Sequence, residues 1–450
     1  MISSSNARIE PGRKPAEPDP PVAVVGIGAD GWRSLPEHHR DIISSAEVII
    51  GSWRQLHLIP DTVHGERRPW PSPLVPAVEE MFAGLSGTRV VVLASGDPMF
   101  HGIGTTLCRI LGTAAVTVYP LASSVSVACA RLGWPVETTP VVSLVTGRIE
   151  ALVPLIGDGR PFVVLSRDET SPDKICRLLR DTGHDHARVT VLSDLGSADE
   201  KITAGTAGCP PEVSSALSVV AVIPQGPTAT RLPGLADDMF DHDGQITKQH
   251  VRALTVCALA PRPGEVLWDI GGGSGSVAIE FLRSTPATKA VVFEQNPQRA
   301  ETIAANARKL GVGELVTVVG SAPGSVVAAA ADPDIPAPDV VFIGGGLTTA
   351  GVADQAVASL GPGGRIVANA VTVESAAVLR ELRQLHGGHI TEIAISREHA
   401  VGRFTTMKPA LPVLQWSAVM GMKPPACAAG GHHLSLVNDI QQQETVEKKP

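Results

Sequence analysis

The segment that most constrains the fold is 265–280, which has the sequence EVLWDIGGGSGSVAIE. An apolar run ends at Asp269, and an amphipathic stretch begins a few residues later. The turn between them carries three alternating glycines, Gly271, Gly273 and Gly275. This order predicts a strand, a tight turn and a helix N-terminus, a loop geometry in which a ligand can contact bare backbone. A purely structural turn uses the same residues, so the loop by itself leaves its role open.

The next apolar run, 290–294, ends in the acid Glu294. An acid at this point can accept hydrogen bonds from both hydroxyls of a ribose, in dinucleotide sites and S-adenosylmethionine sites alike. Dinucleotide folds space their glycines as G-x-G-x-x-G, whereas this loop has G-x-G-x-G after Asp269. The pattern resembles the class I S-adenosylmethionine methyltransferases. That resemblance implies that Asp269, the three glycines and Glu294 bind the methyl donor, with Ser321 and Ala322 beside its adenine.

Short β-branched runs alternate with helical stretches along the chain, and this alternation predicts an α/β fold. With 450 residues, 43% of them hydrophobic, the chain is long enough to bury two cores. The strands predicted in the first half are Val22–Ile27, Val48–Ile50, Arg89–Ala94, Ala115–Tyr119, Pro161–Leu165, Val189–Leu192 and Leu217–Ile223. Those predicted in the second half are Glu265–Ile270, Ala290–Glu294, Val316–Val319, Asp339–Ile343 and Gly364–Ala368. The predicted organisation is a disordered lead (1–20), a first module (21–225), a turn-rich linker (226–245), a second module (246–422) and a disordered tail (423–450).

Three turns of the first module follow predicted strands, and their sequences are VGIG, GDP and PLASS. In a parallel sheet such turns meet at the carboxyl edge, where α/β folds bind ligands. The last turn puts two hydroxyls at a predicted helix N-terminus. The candidate ligand-binding residues in these turns are Gly26, Gly28, Gly96, Asp97, Ser123 and Ser124.

In this order the three turns resemble the class III tetrapyrrole methylases, although three ordinary capped turns remain the alternative. The resemblance implies a bilobal domain that binds folded S-adenosylmethionine in a trough between two α/β lobes. His101 follows the Gly-Asp-Pro turn, where it can exchange a proton with a substrate or simply hydrogen-bond the loop. The expected fold class is therefore α/β, with a bilobal tetrapyrrole-methylase domain followed by a Rossmann-like class I methyltransferase domain.

The combination of the two modules narrows the family further. A class III module precedes a class I module, and the second begins with Ile-Thr-Lys-x-x-Val-Arg at residues 246–252. This arrangement resembles the decarboxylating precorrin-6Y C-methyltransferases of cobalamin biosynthesis. The resemblance implies methylation of precorrin-6Y/6B at C-5 and C-15, loss of carbon dioxide from a ring acetate, and precorrin-8X as product. It also implies one S-adenosylmethionine per module, with Thr247 in the second donor site.

Methyl transfer is an in-line displacement, so catalysis depends mainly on positioning. The segment Phe342–Leu347 (FIGGGL) lacks the Asn/Asp-Pro-Pro-Tyr turn of amine methylases, which favours a carbon nucleophile. Carboxylates on a tetrapyrrole call for cations, although each one taken singly is equally a solvated surface charge. The candidate cations are Lys248, Arg252, Arg397, Arg403 and Lys408. Together with His101, we take Lys248 and Arg252 as the candidate catalytic residues.

The formal charge of −8 and the absence of Lys/Arg runs argue against a nucleic-acid partner. An RNA methyltransferase and a non-catalytic regulator that binds S-adenosylmethionine or a tetrapyrrole nevertheless remain alternatives. No apolar run approaches about 18 residues, and the polar start is not a signal peptide, so we expect a cytoplasmic protein without a membrane partner. The six cysteines form no metal-ligand spacing, which predicts small buried thiols and no metal. We also expect a homo-oligomer.

Overall fold

A computed structural model describes residues 20–71, 74–312 and 316–421, and the chain divides into two compact units after Thr228. Both units are built from helices and sheets that contain parallel strands, so the α/β prediction is confirmed. The predicted disordered lead (apart from residue 20), the predicted tail and Cys427 lie outside the described residues. None of the described helices combines the length and the apolar character needed to cross a membrane.

The first unit begins with a parallel sheet in the order β3-β2-β4-β1-β5. Its strands are β1 (Val22–Ile27), β2 (Val48–Gly51), β3 (Glu66–Pro69), β4 (Val90–Ser95) and β5 (Val116–Tyr119). Its helices are α1 (Glu37–Ser44), α2 (Trp53–His57), α3 (Leu74–Ala83) and α4 (Ile103–Leu111). Successive residues Val24 and Val25 are both fully buried, in two different core clusters, as expected for a parallel sheet covered on both faces.

The second sheet of this unit is mixed and has the order β6-β7-β10-β8-β9. Its strands are β6 (Val141–Ser143), β7 (Phe162–Leu165), β8 (Arg188–Ser193), β9 (Lys201–Thr206) and β10 (Ser218–Ile223), and the helices are α5 (Ser124–Leu132), α6 (Val153–Asp158) and α7 (Ser171–Asp181). Sequence analysis did not predict β3, β6 and β9. All three are edge strands without a fully buried residue, so they lack the apolar pattern that marks the central strands.

The second unit carries a sheet in the order β13-β12-β11-β14-β15-β19-β16, in which β19 runs antiparallel to both of its neighbours. The strands are β11 (Val266–Ile270), β12 (Lys289–Phe293), β13 (Val316–Val319), β14 (Val340–Ile343), β15 (Arg365–Ala370), β16 (His389–Ile393), β17 (Ser396–Val401), β18 (Phe404–Pro409) and β19 (Val413–Val419). The helices are α8 (Gln249–Leu259), α9 (Ser276–Ser284), α10 (Pro297–Lys309), α11 (Gly324–Ala331), α12 (Val352–Ala358) and α13 (Val373–His386). Strands β17 and β18 form an exposed hairpin.

Two expectations need correction. The predicted linker 226–245 is not a free connection, because from residue 229 onward it belongs to the second unit. Leu235 and Phe240 are buried in the core of that unit, where Glu280 accepts hydrogen bonds from the backbone of the same segment. Not every cysteine is buried either: Cys209 and Cys257 are exposed, because each lies where its strand end or helix face meets solvent.

Candidate functional site

A cavity of about 700 Å³ opens in the second unit at the carboxyl ends of β11, β12, β14 and β15. Its wall is formed by the glycine loop after β11, the ends of β12, β14 and β15, the entry to α8, and the segment on either side of the β17–β18 hairpin. Ligand sites of small molecules and cofactors have volumes of this order, about 300–1,000 Å³. The cavity therefore lies at the sheet edge where the sequence predicted a ligand, beside the glycine loop.

The glycine loop lies directly against the turn that follows β14. A Cβ on Gly271 would lie 2.7 Å from the backbone of Gly345, and Gly271 has a φ of 78°. Gly273 lines the cavity, and there a Cβ would meet only the carbonyl oxygen of Gln245, at 3.5 Å. Gly271 thus permits two loops to approach closely, and Gly273 leaves bare backbone facing a ligand.

Gly275 has a different role from the one predicted. It is not among the residues that line the cavity, and a Cβ on it would lie 2.9 Å from Cγ2 of Ile303 on α10. Its φ of 76° starts helix α9. Gly275 therefore packs α9 against α10, because its backbone is on the core side of the loop.

Two polar side chains of this loop are buried without a hydrogen-bond partner among the described residues. They are Asp269, through both carboxylate oxygens, and Ser274, through its hydroxyl. Both line the cavity. Burial raises the pKa of Asp269 to about 7. The nearby backbone amide of Ala278, outside hydrogen-bond geometry, opposes this shift, and the charge of Glu294 adds to it. Buried polar groups in native proteins are normally paired, so this pattern indicates a ligand that completes it.

Glu294 connects β12 to the glycine loop. Its Oε2 accepts a hydrogen bond from the Gly273 amide (2.8 Å) and its Oε1 from the Asn296 amide (2.9 Å). The side chain lines the cavity. A carboxylate has about four acceptor positions, so both oxygens retain the capacity to bind a diol. The donor set fits S-adenosylmethionine, since Asp269 would face a cationic group and Glu294 a ribose.

The other donor-site candidates of this unit divide into two groups. Thr247 and Ala322 line the cavity, at its α8 side and behind β13 respectively. Ser321 is exposed and is not among the lining residues, so the structure does not bring its side chain to the site. The backbone amide of Ser325 donates to the Ser321 carbonyl, which makes that residue part of the start of α11.

Of the five candidate cations, Lys248 and Arg397 line the cavity. Arg397 Nη2 lies 3.4 Å from Nδ1 of His250, another lining residue. Arg403 and Lys408 lie on the same exposed hairpin but are not among the lining residues, although Lys408 pairs directly with Arg397 across the two strands.

Arg252 is the clearest correction among the candidate catalytic residues. Its side chain is fully buried and donates to Glu280 Oε1 (2.7 Å) and Asp237 Oδ1 (3.0 Å), as well as to the Leu235 carbonyl. The guanidinium also lies over the ring of Phe240, 4.7 Å from its centroid. With its donors used in this way, Arg252 fastens the segment before α8 to helix α9 and is not available to a substrate.

In the first unit the three turns meet one another. A Cβ on Gly26 would lie 2.0 Å from the carbonyl oxygen of Gly96, which itself accepts a hydrogen bond from the Leu121 amide (3.2 Å). The Gly96 amide donates to the carbonyl of Ile27 (3.1 Å). A Cβ on Gly28 would meet nothing closer than 3.7 Å. The three turns lie close together because they follow β1, β4 and β5, and β1 lies between the other two strands in the sheet.

The polar side chains of these turns are mostly bonded to their own loops. Asp97 accepts from the Met99 amide (2.9 Å), and Ser123 caps α5 by accepting from the Ser126 amide (3.0 Å). Ser124 is exposed at the first position of α5. His101 is exposed with a φ of 53°, and its ring lies edge-on to Phe100 at 5.0 Å. The structure therefore places these residues near one sheet edge, and a role for His101 in proton transfer stays a prediction.

Sequence analysis missed several lining residues because it did not predict the strands after α13. Ile395, Leu411 and Val413 in that region supply an apolar wall. Asn369, at the end of β15, supplies a polar group and was missed because it belongs to no motif. A signal was present in Val413–Val419 (VLQWSAV), where residues of the core alternate with less buried ones over part of the strand.

Residues 21–210 match the family model of tetrapyrrole (corrin/porphyrin) methylases, and residues 238–420 match that of a precorrin methyltransferase domain. The chain is 44% identical over 404 residues to the precorrin-6Y C(5,15)-methyltransferase [decarboxylating] of Mycobacterium tuberculosis, covering 88% of this chain and 99% of that protein.

Two shorter relatives carry single activities in their names. A probable cobalt-precorrin-6B C(15)-methyltransferase (decarboxylating) of Pyrobaculum calidifontis is 32% identical over 187 residues. A cobalt-precorrin-7 C(5)-methyltransferase of Salmonella typhimurium is 29% identical over 181 residues. Each covers 40% of this chain, and the chain covers 93% and 88% of those proteins respectively.

Proposed function

The chain belongs to the family of decarboxylating precorrin-6Y C(5,15)-methyltransferases, and from this premise we propose that it methylates a precorrin at C-5 and C-15 with S-adenosylmethionine. In the same reaction sequence it removes carbon dioxide from a ring acetate, giving precorrin-8X. The observation that carries the proposal is the buried, unpaired Asp269 beside the bare backbone of Gly273 and the carboxylate of Glu294. Together these three features suit a cationic nucleoside.

In the second unit, Asp269 would accept from the amino group of the methyl donor, and Glu294 from its ribose hydroxyls. Thr247 and Ala322 supply further wall contacts. When bound, the donor supplies an electrophilic methyl group. The protein's task is then to exclude water and hold the acceptor carbon in line.

The acceptor is a carbon atom of an electron-rich macrocycle, so no strong base is required. The floor formed by Phe342 and residues 344–346 offers backbone and one aromatic ring, without a side chain that would hold an amine. Lys248 and Arg397 at the cavity wall suit carboxylates that the substrate retains. A large flat substrate would therefore rest on backbone and aliphatic groups, with its charged periphery at the cationic wall.

Each unit binds its own S-adenosylmethionine under this proposal. The first unit methylates C-5, and the second methylates C-15 and removes the carboxylate. Support comes from the two single-activity relatives, each of which covers a share of the chain close to the size of one unit. The meeting of the three turns around Gly26 and Gly96 gives the first unit a backbone-lined edge of its own.

The test combines calorimetry with product analysis on the full chain. Titration with S-adenosylmethionine should give about two sites per chain. Glu294→Ala should weaken one of them about tenfold or more, because a hydrogen bond to a charged group contributes roughly 1.5–3 kcal/mol. Glu301→Ala, an exposed acid on α10, is the matched control and should leave both sites unchanged. A single site insensitive to Glu294→Ala would contradict the assignment.

Incubation of the full chain with precorrin-6B and the donor tests the reaction itself. Two added methyl groups with loss of carbon dioxide are expected. Binding without any methylated product would favour a regulator, and methylated RNA in place of a precorrin would favour the RNA methyltransferase.

A homo-oligomer forms part of the proposal. The β17–β18 hairpin is exposed on both strands and carries Val401, Phe404 and Met407 at 56%, 67% and 61% exposure. A second copy of the chain would cover these exposed apolar side chains. Light scattering on Phe404→Ser should report a smaller particle than the parent protein. An unchanged mass would contradict this use of the hairpin. Nucleic acid and membranes are not partners in this proposal.

A further inference from the structure

The cavity wall contains a closed set of hydrogen bonds that none of the roles above requires. It joins Thr255 on α8, Asn369 on β15 and Gln415 on β19. Asn369 and Gln415 are direct partners in the antiparallel pairing of β15 with β19. Thr255 is fully buried, Gln415 is 7% exposed, and Asn369 lines the cavity. Two of these three polar side chains are buried and the third is partly buried, so their mutual hydrogen bonds are needed to offset the cost of burial.

The donors and acceptors of this set fix the orientation of both amides. The Thr255 hydroxyl donates its hydrogen to the Val251 carbonyl (2.8 Å), so its oxygen can only accept from the two amides. Asn369 must therefore present Nδ2 to Thr255 (2.9 Å). Gln415 Nε2 donates both to Thr255 (3.2 Å) and to Asn369 Oδ1 (3.0 Å). One Nδ2 hydrogen of Asn369 is left without a partner among the described residues, in a side chain that cannot rotate freely.

This oriented donor lies on the acceptor side of the cavity. Asp269 is on β11 and Glu294 follows β12, whereas β15 is two strands from β11 in the other direction. At about 4.8 Å per strand, Asn369 is roughly 10 Å from the donor loop along the sheet. Arg397 on β17 and Leu411 after β18 line the same cavity. A group bound by Asn369 therefore belongs to the substrate.

We propose that Asn369 binds the ring acetate that is lost as carbon dioxide, and that Thr255 and Gln415 position it. This inference rests on the proposed function. A cation at this point would stabilise the carboxylate and oppose its loss. A neutral, fixed N–H donor can instead orient the acetate so that its carbon–carbon bond overlaps the conjugated macrocycle. Lys248 and Arg397 bind the carboxylates that remain.

The step balances without an oxidant or reductant. The bond between the acetate methylene and its carboxylate carbon breaks, and the electron pair enters the conjugated system of the macrocycle. Carbon dioxide leaves, and a proton from water converts the methylene into a methyl group. Asn369 keeps its own protons throughout, and its contribution is the orientation of the bond that breaks.

The experiment follows methylation and decarboxylation separately by mass analysis of the product formed by the full chain. If the parent protein does not perform both reactions, the proposed function fails before this inference is tested. With an active parent, Asn369→Leu should slow decarboxylation about 10- to 100-fold, as expected for a lost hydrogen bond to a charged group. The dissociation constant of S-adenosylmethionine should stay unchanged. Gln384→Leu, the same kind of change on the exposed face of α13, is the control.

The positioning residue is tested through Thr255. Thr255→Val removes the oxygen that orients both amides, so decarboxylation should slow relative to methylation, whereas Thr255→Ser retains the oxygen and should restore the ratio. An unchanged ratio of decarboxylated to methylated product in Asn369→Leu would overturn the inference. So would a Thr255→Val variant that loses both reactions in parallel with its thermal stability.

Discussion

The glycine turns of the two units differ in what surrounds them. In the first unit, a Cβ on Gly26 would collide with the Gly96 carbonyl oxygen at 2.0 Å, and the nearby Asp97 and Ser123 side chains are bonded within their loops. In the second unit, a Cβ on Gly273 would meet its nearest atom at 3.5 Å. Asp269 beside it is buried and has no hydrogen-bond partner among the described residues.

This difference separates two reasons for placing glycine in similar turns. Gly26 is required by the packing of one loop on another, so it supports a binding edge without facing the ligand itself. Gly273 is required because its backbone faces a cavity, next to polar groups that the protein leaves unsatisfied. A glycine motif predicts a turn in both cases, and the neighbouring side chains decide whether the glycine binds or packs.

The largest expected effect comes from Arg252, which supports the cavity of the second unit from within its core. Arg252→Met leaves Glu280 buried without its cationic partner, which typically costs about 3–5 kcal/mol. Calorimetric unfolding should show a lower transition temperature for the second unit and an unchanged one for the first. Arg397→Met, at an exposed position, should change neither. If Arg252→Met has normal stability but has lost activity, Arg252 acts in catalysis and not in the fold.

A smaller effect is expected from alanine in the glycine turns. Gly26→Ala forces a methyl group into occupied space and should destabilise the first unit by about 1–3 kcal/mol, together with loss of its donor site. Gly28→Ala has room at 3.7 Å and serves as the matched control. Gly273→Ala adds left-handed strain of about 1–2 kcal/mol at a φ of 58° and should weaken donor binding in the second unit. If the Gly26→Ala and Gly28→Ala variants are equally stable, Gly26 is not required for packing, and the proposed difference between packing and binding glycines is wrong.

The central strands of both units could be predicted from sequence because a strand buried on both faces is a short, continuous apolar run. The edge strands β5 and β13 were also predicted, whereas the edge strands β3, β6 and β9 and the strands β16–β19 could not be. Their residues are partly exposed, and antiparallel pairing with β15 is a long-range property that local pattern does not carry. The loop from Asp269 to Glu294 was recognisable because its glycines and acids lie on consecutive βα units.

The misassigned site residues have a common cause. Arg252 was interpreted as a substrate contact because the carboxylates of a tetrapyrrole call for cations. Lys248, the N-cap of α8, is exposed, whereas Arg252 within the helix is fully buried. Gly275 belongs to a motif whose other glycines line the cavity, yet it faces α10. Asn369 belongs to no motif. Only its hydrogen bonds in the folded structure, which leave one N–H without a partner among the described residues, distinguish it from an amide of the core.

The smallest expected change in donor affinity, and the one that tests the unsatisfied acid directly, is the pH dependence of Asp269. Its pKa is raised to about 7 by burial, with Glu294 adding to the shift. The ionised carboxylate is the form that attracts a cationic donor, so donor affinity in the second unit should rise as pH increases from 6 to 8, by at most about tenfold per pH unit.

The effect of Asp269 on stability has the opposite sign. Because the folded-state pKa lies above the unfolded value of 3.8, the folded protein holds the proton more tightly, and stability falls as pH rises between about 4 and 7. Asp269→Asn should therefore stabilise the free protein at pH 8 while weakening the second donor site about tenfold and flattening its pH profile. Asp354→Asn, an exposed acid on α12, should change none of these quantities. Calorimetric titrations across pH, paired with thermal unfolding of the free protein, measure both signs. A variant that loses affinity and stability together would show that Asp269 supports the fold and does not await a ligand.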